Sequence, residues 1–524
     1  MNDDSLTTSS QSSRGSRLAI SALVISAPGL VTCALLFGLF HATLLDHFPV
    51  LSDEIAYHHQ IDTFVRAGFN GGYFNFDEQP APLAFTHFSA HGPAFPLLYG
   101  LLGKLVGWHL YSGPMFNLGV LALATAVFIG MTRASRGQIV ATGIVIVTSW
   151  WVLLMAPVTM QDSLHQAVMI VMAAFAARLL HPDTRRPGLL LLGALGILAV
   201  ASVVRPTNWI VAVPLVVITF ARRPLYAAMA AIGAGIGIPI FWLIWRYISA
   251  PIPNLGIELP EVTNARASEI VLHHFLTRVP ENVMGIFNLK AFLEHPVLQH
   301  AVWESVAMAV VFAVCVVIAA GRAVAARRAQ APSVALGASL PFKVDAFNAL
   351  ALGMALFAFV GFYYDDGGSI SRVTAPFLLL SLLVLVATKC RKWVLFMAVL
   401  ANVLIAPSFI TRYREWRNDL YTYSRARADL FRQQLSPLMA FEDGQPPWCN
   451  TLLTMSYQPE IVIVPAGIGL SVGEHPEDIA TPIKSRYLLL NGNGPKAYGE
   501  KAHLQHLGTT TLGELYLNLD AVCH

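Results

Sequence analysis

Apolar stretches of membrane-spanning length, separated by short polar connections, recur along the chain at 18–44, 111–131, 138–156, 163–180, 188–204, 207–221, 225–247, 301–320, 344–364, 373–389 and 393–410. A helix needs roughly 20 apolar residues to cross a bilayer, so the pattern predicts about eleven spans. Between 45 and 110 the pattern changes. Ile55, Ile61, Phe64 and Val65 fall at helical spacing between Tyr57, His58, Gln60, Asp62 and Arg66, which predicts a helix lying in the membrane interface. The apolar piece 94–103 is too short to span and is followed by Lys104 and Trp108, so it is read as interfacial too. Beyond 411, strand-like runs at 450–455, 461–464, 486–490 and 514–517 are separated by Pro, Gly and Asn turns.

The expected architecture is mostly α. A polytopic helix bundle spans 18–410 with outer loops at 45–110 and 248–300, a polar tail occupies 1–17, and a small α/β domain follows at 411–524. The Ser/Thr-rich start is expected to be disordered. The first apolar stretch is longer than a signal-peptide core and lacks a small-residue cleavage pattern, so it reads as an uncleaved anchor.

Composition strengthens this class, since 55% of the 524 residues are hydrophobic, 12% are charged and the mean hydropathy is +0.57. The net charge of +3 matters less than its placement. Arg133 and Arg136, Arg185 and Arg186, Arg222 and Arg223, Arg322, Arg327, Arg328 and Lys343, and Lys389, Arg391 and Lys392 occupy alternate connections. By the positive-inside rule these are cytoplasmic, together with Arg14 and Arg17. The basic residues form no stripe for nucleic acid, and no nucleic-acid partner is expected. The two long loops and the C-terminal segment then face outward. Cys449 and Cys523 bracket the outer domain, where a disulfide is expected over two free thiols.

The candidate chemistry gathers at the outer face. Asp53 and Glu54, with Tyr57, His58 and His59, follow the first span, and carboxylates at a membrane boundary are costly enough to mark a site. Asp162 lies at the same level, where it also suits a helix N-cap. Arg205, Arg246 and Arg372 stand on the outer side against the charge bias, which suits capture of an anionic phosphate; snorkelling at helix ends is the alternative. Asp365 and Asp366 before Gly367-Gly368 read as a solvated turn, and Trp150, Trp151 and Trp209 as an aromatic belt. His58, His59 and His165 lie near Asp53, Glu54 and Asp162 without a fixed ligand spacing, so no metal is required, with a divalent cation as the alternative. A carboxylate base beside arginines that hold a phosphate is what transfer from a lipid-phosphate donor needs.

Asp53-Glu54 after the first span, the following Tyr57, Phe64 and Gly68, Gly-Pro-Ala-Phe-Pro-Leu-Leu-Tyr at 92–99, Asp162 opening the fourth span and Arg205-Pro206-Thr207 together resemble the GT-C superfamily of membrane glycosyltransferases. The likeness covers roughly 18–410 and is to the branch of the bacterial aminoarabinose transferase, the protein O-mannosyltransferases and the rhizobial galacturonosyltransferases. It implies a polyprenyl-phosphate sugar donor, an inverting single displacement with Asp53 as base, and an outer cavity between the first loop and the bundle. Some relatives carry Lys-Pro-Pro where this chain has His91-Gly92-Pro93, so the phosphate contact is expected from His91, Lys104 or an arginine. The resulting assignment is Asp53, Glu54 and Asp162 as catalytic, and Tyr57, His58, His91, Lys104, Arg205 and Arg372 as substrate-binding. The acceptor is a lipid, a polysaccharide or a protein of the envelope, reached from the periplasmic face of a bacterial inner membrane. The alternatives are a glycan polymerase or ligase using polyprenyl pyrophosphate and, less favoured because span interiors are nearly free of charge, a secondary transporter.

Overall fold

A computed structural model describes residues 4–72, 74–78, 92–221, 223–248, 276, 280, 310–311, 313–318, 320–321, 339–362, 369–404, 406–423, 425–455, 458–473, 479, 481–492 and 494–523. The expected spans fall on helical residues, except that at 301–320, most of which lies outside those described; the spans at 138–156, 207–221 and 393–410 are each broken into two shorter elements. The helices are α1 (Asp4–Phe40), α2 (Ser52–Ala67), α3 (Ala94–Val106), α4 (Ser112–Thr132), α5 (Arg136–Thr148), α6 (Trp150–Met155), α7 (Asp162–Leu180), α8 (Pro187–Val204), α9 (Ala212–Phe220) and α10 (Pro224–Ile248). They continue as α11 (Leu340–Phe362), α12 (Ser369–Thr388), α13 (Lys392–Leu404), α14 (Ala406–Thr422) and α15 (Arg425–Leu435). α1 begins at Asp4, so the polar start extends the first helix and is not the disordered leader its composition suggests.

Six of the described helices are long and apolar enough to cross a membrane, and α13 bends by 52° into the helix that follows it. The chain is a multi-pass membrane protein. Within the bundle α7 is central, with 78% of its apolar window buried, against 17% for the lipid-facing α10. α7 packs on α4, α12 and α8. Lipid tails offer no hydrophobic contrast, so close packing of small side chains holds such helices together, and Ala167, Ala173, Ala174 and Ala176 supply it on α7. Two belt tryptophans point inward instead. Trp209 Nε1 donates to the Ala234 carbonyl on α10 at 2.8 Å, over a Gly237 where any Cβ would lie 2.0 Å from that nitrogen. Trp150 donates to the Asn402 carbonyl at 3.0 Å and stacks on Phe409.

The outer domain is a six-stranded sheet of order β1-β3-β2-β4-β6-β5. β2 (Thr451–Thr454), β4 (Tyr487–Leu490) and β6 (Gly513–Asn518) fall on expected runs, joined by β3 (Gly469–Val472) and β5 (Leu504–Thr510). The run at 461–464 is a 3-10 turn, Pro459–Ile463, because Pro459 brings no N–H to a ladder and the apolar side chains fill the space under α2. The edge strand β1 (Phe74–Phe76) comes from the first outer loop and pairs in parallel with β3, Phe74 opposite Leu470. The expected boundary near 411 is therefore not a clean one. α14 runs through it, and the first loop completes the sheet of the C-terminal segment.

α2 is packed between two cores. Its Ile55 and Ala56 join Phe48, Phe74, Phe431, Ile461 and Leu470 in the core of the outer domain, while Tyr57 and Ile61 join Phe95, Tyr99, Trp151 and Tyr413 at the top of the bundle. A helix sandwiched in this way needs apolar side chains on two faces, which the sequence of α2 supplies. Arg425 ties the same region down by donating to the Leu45 carbonyl at 2.9 Å.

Cys449 and Cys523 are bonded, with their sulfurs 2.06 Å apart. They close a loop with a sequence separation of 74, for which chain entropy gives a stabilisation of about 4 kcal/mol. A Cys449→Ser, Cys523→Ser double variant is expected to unfold its outer domain at lower denaturant than the wild type, with bundle helicity unchanged. Circular dichroism alongside limited proteolysis in detergent checks this.

Candidate active site

Four charged side chains from four separate elements meet at the starts of α2, α7 and α12 and the end of α8. Asp53 lies in the first turn of α2, where an acid is favoured by the helix dipole. Arg372 lies near the start of α12. Asp162 is the first residue of α7, with Gln161 rather than Asp162 at the cap position. Arg205 ends α8, because the following Pro206 forces it out of helical conformation (φ −145°, ψ 107°) and turns its side chain across the helix ends.

They form an alternating row. Arg205 Nη1 donates to Asp162 Oδ1 at 2.9 Å, Arg372 Nε donates to the same oxygen at 3.2 Å, and Arg372 Nη2 lies 3.5 Å from Asp53 Oδ2. Side-chain exposure rises along it, from 1% at Asp162 and 8% at Arg205 to 25% at Arg372 and 38% at Asp53. The row thus has a buried end, where the two guanidiniums neutralise one carboxylate, and an open end formed by Asp53 and Arg372. Its formal charge sums to zero, with Arg205 committed to Asp162. Both arginines are paired with Asp162, which is more than snorkelling.

Tyr57 borders the row. Burial raises its phenol well above the usual tyrosine value, Asp53 adds to the effect, and the hydroxyl stays protonated. Its ring meets Phe95 edge-on at 5.0 Å. The histidines turn away. His58 donates through Nε2 to the His109 carbonyl at 3.2 Å and packs on Trp108, and burial pushes its pKa down to about 4. His59 donates to the Ile468 carbonyl at 2.6 Å and is likewise kept neutral by burial. His58 is therefore a packing and docking residue of α2, placed there because the face it occupies is covered by the 108–109 segment. Lys104 is exposed, with its ammonium 4.6 Å over the Phe64 ring, and makes no contact with the row. His91, Asp365, Asp366 and the side chain of Arg246 lie outside the described residues.

Glu54 is fully buried, one residue from Asp53 but directed elsewhere, toward His47 and the turn before α7. Sequence reasoning placed it beside Asp53 as a supporting acid and gave no sign of His47 or of the Thr159 amide. Among the described residues no group of three or more His, Cys, Asp or Glu side chains is arranged to hold a metal ion. One turn inward from Asp162, His165 lies edge-on to Phe377, and neither ring nitrogen has a hydrogen-bond partner among the described residues.

No protein-family model matches the chain, and no curated protein matches it. Among solved structures, the chain is similar to ArnT from Cupriavidus metallidurans bound to undecaprenyl phosphate, at 12% identity and a TM-score of 0.38, over 95% of this chain and 98% of that one. It is similar also to the apo state of the same protein, at 11% identity and a TM-score of 0.37, over 95% and 97% of the two chains.

Proposed function

We propose that the chain is an inverting glycosyltransferase that moves a sugar from a polyprenyl-phosphate donor to an envelope acceptor, at the periplasmic face of a bacterial inner membrane. The observation that carries this reading is the Asp53–Arg372–Asp162–Arg205 row at the outer helix ends, with a carboxylate and a guanidinium at its open end. The donor's prenyl chain stays in the bilayer and its phosphate meets Arg372. Asp53 takes the proton of an acceptor hydroxyl as that oxygen bonds to the anomeric carbon from the face opposite the phosphate. The bond from the anomeric carbon to the phosphate oxygen breaks, its electron pair leaves with polyprenyl phosphate, and Arg372 balances the charge that develops there. Arg205 holds Asp162, and Asp162 fixes Arg372.

The test is release of polyprenyl phosphate from a panel of polyprenyl-phosphate sugars by purified protein with envelope acceptor, with and without EDTA. Turnover of one donor class is expected, at a rate EDTA changes by less than about twofold, since the row itself supplies the cationic stabilisation. Release of polyprenyl pyrophosphate instead would establish the polymerase or ligase reading. No reaction with any monophosphate donor would sink the proposal.

A further inference from the structure

We infer that Glu54 is a positioning residue that sets Asp53 in register with Asp162, an assignment that rests on the proposed role of Asp53. Glu54 Oε1 accepts from the Thr159 backbone N–H at 2.6 Å and from His47 Nε2 at 2.9 Å, with both side chains of the His47–Glu54 pair fully buried. Thr159 stands three residues before Asp162. The contact therefore joins the first turn of α2, which carries Asp53, to the turn that launches α7, which carries Asp162.

The anchor on the α7 side is itself held. Asn117 of α4 donates through Nδ2 to the Val158 carbonyl at 2.5 Å and the Ala156 carbonyl at 3.2 Å, and Tyr99 of α3 donates to Asn117 Oδ1 at 2.6 Å. Gly113 lets α4 approach, since a Cβ there would lie 2.1 Å from Thr159 Oγ1. Glu54 thus ties α2 to a turn already fixed from two other helices. Glu54 itself is closed to an acceptor hydroxyl, because neither carboxylate oxygen reaches solvent. Catalytic groups must be held to a fraction of an ångström, and a shift of about 1 Å costs roughly a hundredfold in rate.

The experiment compares Glu54→Gln, Glu54→Ala and Asp53→Asn in purified full-length protein, reading kcat and donor KM per folded molecule, with thermal midpoint and elution profile as folding controls. Glu54→Gln retains an oxygen for the Thr159 N–H and is expected to keep kcat within about threefold. Glu54→Ala is expected to lose about thirtyfold or more in kcat at unchanged KM, from molecules that still fold. If Glu54→Gln is as slow as Asp53→Asn, the carboxylate does chemistry and the positioning role is overturned. If Glu54→Ala has wild-type kcat per folded molecule, the contact serves the fold alone and the inference is equally overturned. An Asp53→Asn variant with wild-type turnover would remove the reading of Asp53 and the Glu54 assignment with it; a dead Asp53→Asn beside a fully active Glu54→Ala removes only the latter.

Discussion

Asp53→Asn is expected to slow release of polyprenyl phosphate by on the order of a hundredfold or more, because general-base catalysis contributes about that much. The substitution is nearly isosteric and leaves an oxygen that Arg372 can still donate to, so the row stays assembled. It also leaves the four-residue cluster with a net positive charge. Donor binding therefore should hold or tighten, and the loss should fall on kcat with KM unchanged or lower. That split is what distinguishes a base from a charge that merely attracts or repels the donor. Steady-state kinetics on the preferred donor, in protein whose elution and helicity match the wild type, reads it directly. Turnover within a few-fold of wild type would reduce Asp53 to a structural partner of Arg372.

Asp162→Asn should damage both stability and activity. Among the described residues Asp162 is the carboxylate paired with Arg205, whose side chain is 8% exposed, and it also holds Arg372. Breaking a buried pair by removing one partner costs roughly 3–5 kcal/mol, because the remaining charge is left uncompensated. The thermal midpoint in detergent is expected to fall accordingly, with turnover falling further since Arg372 loses the contact that aims it at the donor. The charge logic has a second check. Asp162→Asn combined with Arg205→Met removes the stranded cation and should recover most of the stability but little of the activity. If the double variant is no more stable than the single one, burial of an unpaired guanidinium is not what destabilises the protein.

The helices were legible because the bilayer imposes a length and a composition that no other solvent demands. The structure brings Asp53, Asp162, Arg205 and Arg372, which the charge pattern had singled out, together at helix ends. Direction within α2 was not legible. Asp53, Glu54, Tyr57, His58 and His59 are close in sequence, yet they point to the row, to the Thr159 turn, to Phe95, to the His109 carbonyl and to the Ile468 carbonyl respectively. A helix spreads consecutive residues around its axis, and which face meets which neighbour depends on packing from segments hundreds of residues away. The strand β1 escaped for the same reason: three residues carry no periodicity, and only pairing with β3 gives them an extended form. At 461–464 the apolar run promised a strand, but Pro459 and full burial favoured a tight turn.

The pairing of β1 with β3, and of His59 and Thr63 with residues 409 and 404 positions downstream, also sets an order of assembly. α2 is therefore made well before the strand that fixes its neighbour β1. Until those downstream residues are made, α2 lacks the partner for its Ile55 and Ala56 face. A half-made chain is thus marked by an uncovered apolar surface of the kind chaperones and proteases recognise.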